Sequence, residues 1–489
     1  MSTDNKPPEP ARTLVAALAA VLQAQLIETH ISWVLLAKDT AYKIKKPVHL
    51  PFVNYSTLQA RQHFCEEEVR LNQRLAPSLY LGMTRITGTA HSPELDGAGP
   101  VLEYAVRMRR FAPGALFSER IAARTLNNTD IDQLAALLAD AHGKAPHADA
   151  ASSFADTGHR RGNALAALEG VRPFASAAAQ AALQSWIETQ AGMLAPLWAS
   201  RKAEGRVREC HGDLHLANIV RLDDGVAAFD CIEFDPALRW IDVLDDAAFV
   251  VMDLAAYQQR DLCFRFLNAW LDRTGDHGSL PALRFAVVYR ALVRAQVAHL
   301  RDPGNDTARR YLDVALVWAQ PGTAWLSIMH GLPGSGKTYV SQRLLEQEGA
   351  IRLRSDVERK RLYGLGMLDD SRAKGLDLYG ANVTARTYGQ LFGVARTALQ
   401  AGFPVILDAA FPHRAERDQA HALARDLGVP FSIVHCEAPL PVLRQRLLAR
   451  RGDASEANFA VLEQLRPGTE ALADDELPFL RTVAPGPPS

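Results

Sequence analysis

Lysine is scarce in this chain: only ten of the 489 residues are lysine, and arginine supplies most of the 54 basic side chains. A cluster of lysines is therefore informative wherever it occurs. Cysteine is sparse too. Cys65, Cys210, Cys231, Cys263 and Cys436 are scattered, odd in number and free of C-x-x-C spacing. That excludes a disulfide framework and a zinc ribbon, and it points to a reducing compartment. Net charge is almost absent, at -1, so there is no global field to attract nucleic acid or an acidic membrane. No apolar run approaches the ~18–20 residues of a membrane span. The polar, proline-bearing stretch 1–12 lacks the apolar core of a signal peptide and reads as a disordered tail. No internal repeat is present. The expectation is a cytoplasmic protein whose length suits about three ordinary domains.

What the chain does contain is Gly331-Leu332-Pro333-Gly334-Ser335-Gly336-Lys337-Thr338, which fits the phosphate-cradling pattern G-x-x-x-x-G-K-[ST]. A short apolar strand, 325–329, precedes it, and a helix follows from 339. The glycines let the backbone curl so that its N–H groups face phosphate oxygens, and the helix adds its positive N-terminal end. Lys337 then reaches the β- and γ-phosphates of ATP, and the Thr338 hydroxyl holds Mg²⁺. Three later strands, 350–356, 403–408 and 431–436, alternate with helices, which predicts a parallel sheet with its chemistry at the strands' carboxyl ends. Asp356 and Asp408 fall at that edge, although a strand-end Asp can equally cap the next helix. The helix 439–451 carries Arg444, Arg446, Arg450 and Arg451 and leads into a polar loop, as a closing lid would, or simply as a solvated basic face.

The larger N-terminal part holds a second constellation. Two strands, 32–37 and 41–47, are joined by a tight polar turn. Lys43 and Lys45, two apart, leave the same face of the second strand. The helix 59–75 carries Glu66, Glu67 and Glu68. A strand lysine followed by a helix glutamate is an arrangement that positions nucleotide phosphates, whereas an exposed basic edge strand is the plainer reading. A further strand is expected at 101–108, then helices to 206, one of them capped by Thr129 and Asp132. His211-Gly212-Asp213 with Asn218 has the D-x-x-x-x-N spacing of a phosphoryl-transfer loop, and Asp230 ends a short apolar strand. The bland alternative is a turn whose polar side chains satisfy their own backbone. His211 and His215 read as packing residues of this loop, and no His/Cys cluster suggests zinc.

At these residues the chain resembles the aminoglycoside phosphotransferase family, a branch of the protein-kinase-like fold. The resemblance covers about residues 25–320. It implies Asp213 as catalytic base, Asn218 and Asp230 as Mg²⁺ ligands, and Lys43 or Lys45 paired with Glu68 or Glu67. No glycine-rich loop stands between Ser32 and Thr40, so the phosphate lid is expected to be reduced. Asp242 is expected to cap or brace the loop, a structural role, and Arg239 is open between a structural and a functional role. The C-terminal part resembles the small P-loop kinases grouped with zeta toxins, gluconate kinases and polynucleotide kinases, and lacks room for the second subdomain of large AAA⁺ machines. That resemblance implies Asp356 as base, Arg359 as a substrate-anion contact, Asp408 assisting Mg²⁺, and Arg446 or Arg450 on the transferring group.

The expected organisation is a tail at 1–12, a two-lobed kinase-like domain at 13–320, a P-loop domain of α/β type at 321–481, and a tail at 482–489. The expected function is phosphoryl transfer from ATP·Mg²⁺ to hydroxyls of small-molecule acceptors, with oligomeric state open. Two alternatives stand beside it: a nucleotide-switched regulatory protein, and a nucleic-acid end kinase or toxin, which needs a basic groove around 352–361.

Overall fold

The structure, a computed structural model, describes residues 8–50, 53–376, 378, 380–450 and 452–483. Most of both expected tails, and Arg451 of the expected lid helix, lie outside the described residues. The described residues open with α1 (Glu9–Val21), where Pro8 and Pro10 suit a helix start, so residues 9–12 of the expected tail are helical. Then come β1 (Gln25–Glu28), β2 (Ser32–Leu36), β3 (Thr40–Lys45), β4 (His49–Leu50), β5 (Val53–Asn54), α2 (Leu58–Asn72), β6 (Tyr80–Thr89), β7 (Ser92–Leu95) and β8 (Glu103–Arg109). Helices follow: α3 (Phe117–Ala122), α4 (Asn128–Lys144), α5 (Thr157–Gly170) and α6 (Ala177–Ala203). The cap of α4 is Asn127, paired with Asp130, and not Thr129 with Asp132. The loop region is framed by β9 (Val207–Glu209), β10 (Ile219–Leu222), β11 (Gly225–Ala228), α7 (Pro236–Arg239), β12 (Trp240–Asp242) and α8 (Val243–Ala256).

The remainder holds α9 (Arg260–Thr274), α10 (Leu280–Arg301), α11 (Thr307–Trp318), β13 (Leu326–His330), α12 (Lys337–Glu348), β14 (Ile351–Arg354), α13 (Ser355–Arg361), α14 (Ala381–Gln400), β15 (Val405–Asp408), α15 (Arg414–Asp426), β16 (Phe431–His435), α16 (Leu440–Ala449) and α17 (Phe459–Leu465).

Two compact units emerge: 1–160 with 195–250, and 161–194 with 251–489. The first is built on an antiparallel sheet of order β1-β2-β3-β8-β6-β7. Its alternation buries Trp33, Leu35 and Ile44 on one face, with Leu14 and Leu18 of α1, and Ala41, Val106 and Met108 on the other. Strand β1 was not evident in the sequence, because all four of its residues are exposed and it shows no apolar alternation. It pairs with β2, so the turn preceding the lysine hairpin is Thr29–Ile31. The second unit carries a parallel sheet of order β14-β15-β13-β16. Strands β13, β14 and β15 are buried on both faces, as helix-covered parallel strands are, while the edge strand β16 is partly open. The edge strand β14 is covered by α9, whose Asn268 donates to the Ala350 carbonyl at 2.9 Å and accepts the Arg352 N–H at 2.6 Å. The helices 251–320 thus share a compact unit with the P-loop sheet, and the boundary expected at 320 does not separate compact units.

Candidate functional sites

In the first unit, β3 and α2 bring two lysines to one glutamate. Thr57 starts α2 by accepting the Ala60 N–H at 3.1 Å, which sets the helix phase and points Glu68 at the sheet. Lys43 Nζ donates to Glu68 Oε1 and Lys45 Nζ to Glu68 Oε2, each at 2.8 Å. Lys43 also pairs with Asp230, and Lys45 with Glu233, which accepts the Tyr55 hydroxyl at 2.5 Å. Burial would raise the Glu68 carboxyl, but the two ammonium groups outweigh it and hold it at about 2. Burial likewise pulls Lys43 down, and Asp230, Glu68 and Glu233 more than restore it, well above its usual value. Of the two lysines, Lys43 is the one that keeps an accessible edge, 13% exposed against 1% for Lys45. Glu67 points elsewhere, to Arg70 at 2.8 Å.

Asp230 sits just beyond β11 with φ +66°, a left-handed conformation that Asp tolerates better than most residues. Its N–H donates to the Tyr80 hydroxyl at 3.2 Å, and the next N–H, of Cys231, donates to Asn72 Oδ1 at 3.0 Å. The loop opposite is held from beneath. Gly212, at φ +88°, has room for no side chain, since a Cβ would stand 2.7 Å from the Leu238 carbonyl. Asp246 of α8 accepts the His211 N–H at 3.1 Å and the Gly212 N–H at 2.9 Å. His211 Nε2 donates to the Phe229 carbonyl at 2.9 Å and its Nδ1 accepts the Asp213 N–H at 3.3 Å. Burial lowers its pKa, so it is a neutral packing residue as expected. Asn218 donates its amide N–H to the Asp213 carbonyl at 2.9 Å, which leaves the amide oxygen as its ligand atom. His215 Nε2 lies 3.5 Å from Asp213 Oδ2.

Asp242 is structural, but its partners lie outside the catalytic loop. It takes a bidentate pair from Arg201, at 2.7 Å on each oxygen, and caps α8 through the Leu244 N–H. The brace is Asp246. Arg239 is structural, buried between Glu209 and the Glu233 carbonyl. One His/Cys/Asp group does exist: His142, Cys210 and Asp246 have ligand atoms within 4.8 Å of one another. Both Asp246 oxygens already receive backbone N–H groups, and burial keeps the Cys210 thiol protonated, so this cluster reads as structural.

In the second unit, a cavity of about 940 Å³ opens at the carboxyl ends of the parallel strands. Its wall includes Lys337, Thr338, Asp356, Arg359, Asp408, Arg446 and Arg450, drawn from four separate segments. Gly331, Gly334 and Gly336 all have positive φ, and a Cβ on Gly331 would stand 2.1 Å from the Cys436 carbonyl. Lys337 Nζ donates to the Gly331 and Leu332 carbonyls at 2.7 and 3.0 Å, and burial lowers its pKa. Asp408 caps no helix, for α15 starts only at 414; it accepts the Ser341 hydroxyl of α12 at 3.1 Å. Arg446 reaches the Gly334 carbonyl at 3.3 Å, and Arg359 pairs with Asp356 at 3.1 Å. Asp453 takes Arg354 at 2.5 Å and Arg450 at 3.8 Å. The run 352–361 forms no open basic groove: Arg352, Arg354, Arg359, Lys360 and Arg361 each face a carboxylate.

Sequence reading missed Asp246, Glu233, Tyr55 and Asp453. Asp246 left one signal, a pair of acids in the first turn of α8, a helix otherwise apolar but for Asp253. The others act through tertiary contacts with no local pattern.

A family model described as "AAA domain" matches residues 326–472. The chain is 31% identical over 449 residues to "Uncharacterized protein Rv2004c" of Mycobacterium tuberculosis (strain ATCC 25618 / H37Rv), covering 90% of this chain and 88% of that protein. It matches "Uncharacterized protein Mb2027c" of Mycobacterium bovis to the same extent. Among solved structures, it is similar to an amicoumacin kinase in complex with AMP-PNP and Ca²⁺, at 12% identity over 63% of this chain and 92% of that one, TM-score 0.38. It is also similar to the Mycobacterium tuberculosis APS kinase, at 26% identity over 26% of this chain and 69% of that one, TM-score 0.21. Among the described residues no helix is long and apolar enough to cross a membrane.

Proposed function

We propose, for a chain that belongs to the same family as the mycobacterial proteins it matches along nearly its whole length, an ATP-dependent phosphotransferase with two nucleotide sites. Each passes the γ-phosphoryl of ATP to a hydroxyl of a small acceptor. The observation that carries the reading is that one cavity is lined at once by Lys337, Thr338, Asp356, Asp408, Arg446 and Arg450. No structural role needs those types gathered around empty space, whereas phosphoryl transfer needs all of them.

In this reading the kinase-like part spans 13–320 and the P-loop part 321–481. At the P-loop, Lys337 exchanges its two backbone carbonyls for phosphate oxygens, and Arg446 and Arg450 stabilise charge on the transferring group. Asp356 receives the acceptor's proton as its oxygen attacks phosphorus and the bond to the bridging oxygen of ADP breaks. At the first site Lys43, held by Glu68, carries phosphate, and Asp213 receives the proton. The oxygen donors Asn218 and Asp230, and Thr338 with Asp408, suit a hard cation. Mg²⁺, when bound there, neutralises phosphate charge. Five cysteines free and buried support a reducing, cytoplasmic setting.

The test is transfer of label from γ-labelled ATP into a cell metabolite extract, repeated with Asp213→Ala and with Lys337→Ala. A labelled product lost only in Asp213→Ala assigns the first site, and one lost only in Lys337→Ala the second. ATP binding without any labelled acceptor favours a second reading, a nucleotide-switched regulator. The contact supporting that reading is Asn268, which fastens α9 to the P-loop sheet through both its amide atoms.

A further inference from the structure

Lys43, Glu68 and Asp230 account for a nucleotide site, yet a second lysine is buried against the same glutamate. Lys45 is 1% exposed and Glu68 fully buried. The two carboxylate oxygens of Glu68 are divided between the lysines, one each, at 2.8 Å. Lys45 continues to Glu233, three residues beyond Asp230, and Glu233 is closed off by the Tyr55 hydroxyl at 2.5 Å. The Lys45 ammonium also lies 5.0 Å from the centre of the Tyr55 ring. One helical turn further along α2, Asn72 accepts the Cys231 N–H at 3.0 Å and donates to the Glu68 carbonyl at 2.8 Å. Helix α2 is thus tied at two successive turns to the segment 230–233, through Lys45 at one and directly at the other.

We infer that Lys45 is a positioning residue that makes the Lys43–Glu68 pair permanent. A single lysine–glutamate pair can open when its helix swings away, because each partner can find water or another ion. Here, outward movement of α2 would break a second buried ion pair together with the first, because Lys45 shares Glu68 in a place closed to water, and breaking buried pairs is strongly unfavourable. Lys45 therefore removes the open state. Its second effect is on charge: by engaging one Glu68 oxygen and Glu233, it leaves Lys43 shared between Asp230 and the other Glu68 oxygen alone. The site is assembled before any ligand arrives, and activation by helix movement is not available to it.

This rests on reading Lys43, Glu68 and Asp230 as a nucleotide site, and the experiment separates the two. ATP·Mg²⁺ binding is titrated calorimetrically in the full-length Lys337→Ala chain, where the P-loop site is disabled. Absence of binding there overturns the site itself. Given binding, Lys43→Met, Lys45→Met and the double variant form a cycle. Lys45→Met is expected to weaken ATP binding at least tenfold alone, and to add less than twofold on top of Lys43→Met, because it acts through Lys43. A role confined to stability would lower the melting temperature in both backgrounds without that loss of additivity. Glu233→Gln, which keeps both lysines, is expected to give a several-fold loss of the same sign and serves if Lys45→Met does not fold. Unchanged affinity in Lys45→Met, or in Glu233→Gln where that variant has to serve, or effects that multiply in the double variant, overturns the inference.

Discussion

Asp246 holds Gly212 by its backbone, accepting the N–H at 2.9 Å on one oxygen while the other takes the His211 N–H at 3.1 Å. His142 adds a third contact at 3.2 Å. One carboxylate thus fixes two successive peptide units directly before Asp213. Asp246→Asn keeps the volume but offers a single acceptor atom and turns an NH₂ group toward a backbone donor. The expected loss is on the order of 2–3 kcal/mol, the cost of stranding a buried donor. Urea denaturation measures it, and label transfer by the first site should fall with it. An unchanged unfolding midpoint would show that the loop holds itself.

The same residue sets an acid limit. Burial would raise the Asp246 carboxyl, but bonding to His142, the nearby His142 and His211 imidazoles, and the Gly212 N–H bring it to about 2. Unfolded, it binds a proton near 3.9, as an ordinary aspartate does at about that value. Above that pH it is ionised in both states and its contribution is complete. As pH falls, the unfolded chain takes up the proton first, and the contribution drains away between about pH 5 and pH 2. The melting temperature of the wild type should fall across that window, and Asp246→Asn should fall less steeply.

Legibility followed locality. The loop 331–338 could be read because its chemistry is written in consecutive residues, and so could His211 to Asn218. The helix read at 59–75 and the strands read at 32–37 and 41–47 correspond to α2, β2 and β3 to within three residues at each end. Which lysine met which glutamate was not legible, since Lys43 and Lys45 share a face and only tertiary packing tells their partners apart. A cap or brace for the loop was expected at Asp242, but Arg201, 41 residues upstream, claims that carboxylate. Strand β1 was invisible because an exposed edge strand has no alternation to read. The association of helices 251–320 with the P-loop sheet was hidden for a related reason: it depends on single polar contacts such as Asn268, where composition shows only a proline–glycine break at 321–322.

Asn268 makes that association testable. Its amide satisfies the Ala350 carbonyl and the Arg352 N–H beside the edge strand β14, as a neighbouring strand would. Around it, Arg361 donates to the Asp272 carbonyl at 2.7 Å, and Arg260 to the Glu348 carbonyl at 2.6 Å. Asn268→Leu should cost roughly 2–4 kcal/mol, because two buried backbone groups lose their partners. A fragment starting at residue 321 exposes β14 as an open edge and is expected to aggregate, whereas one starting at 251 should fold. Circular dichroism and sedimentation of the two fragments decide it. A folded, monomeric 321–489 fragment would place the structural boundary at 320 after all.

Asp453 lies in the wall of the P-loop cavity. It takes Arg354 at 2.5 Å and Arg450 at 3.8 Å, and both arginines line the P-loop cavity. Burial works against its ionisation, but Arg354 and Arg450 outweigh it and keep the carboxyl below its ordinary value. A nucleotide phosphate therefore competes with Asp453 for the same guanidinium groups, and each exchange sets a new charge-assisted bond against an existing one. Asp453→Asn removes the competitor's charge while keeping its size. ATP binding in the Lys43→Met background, where the first site has lost its phosphate-carrying lysine and the P-loop site is left to report, should tighten several-fold. The gain should shrink as salt rises, since screening weakens the competition as well as the attraction. Weaker binding in Asp453→Asn would instead mean that the carboxylate holds Arg354 and Arg450 in the geometry that receives phosphate. The two outcomes differ in sign, so one pair of titrations at low and high salt separates a counter-ion from a scaffold.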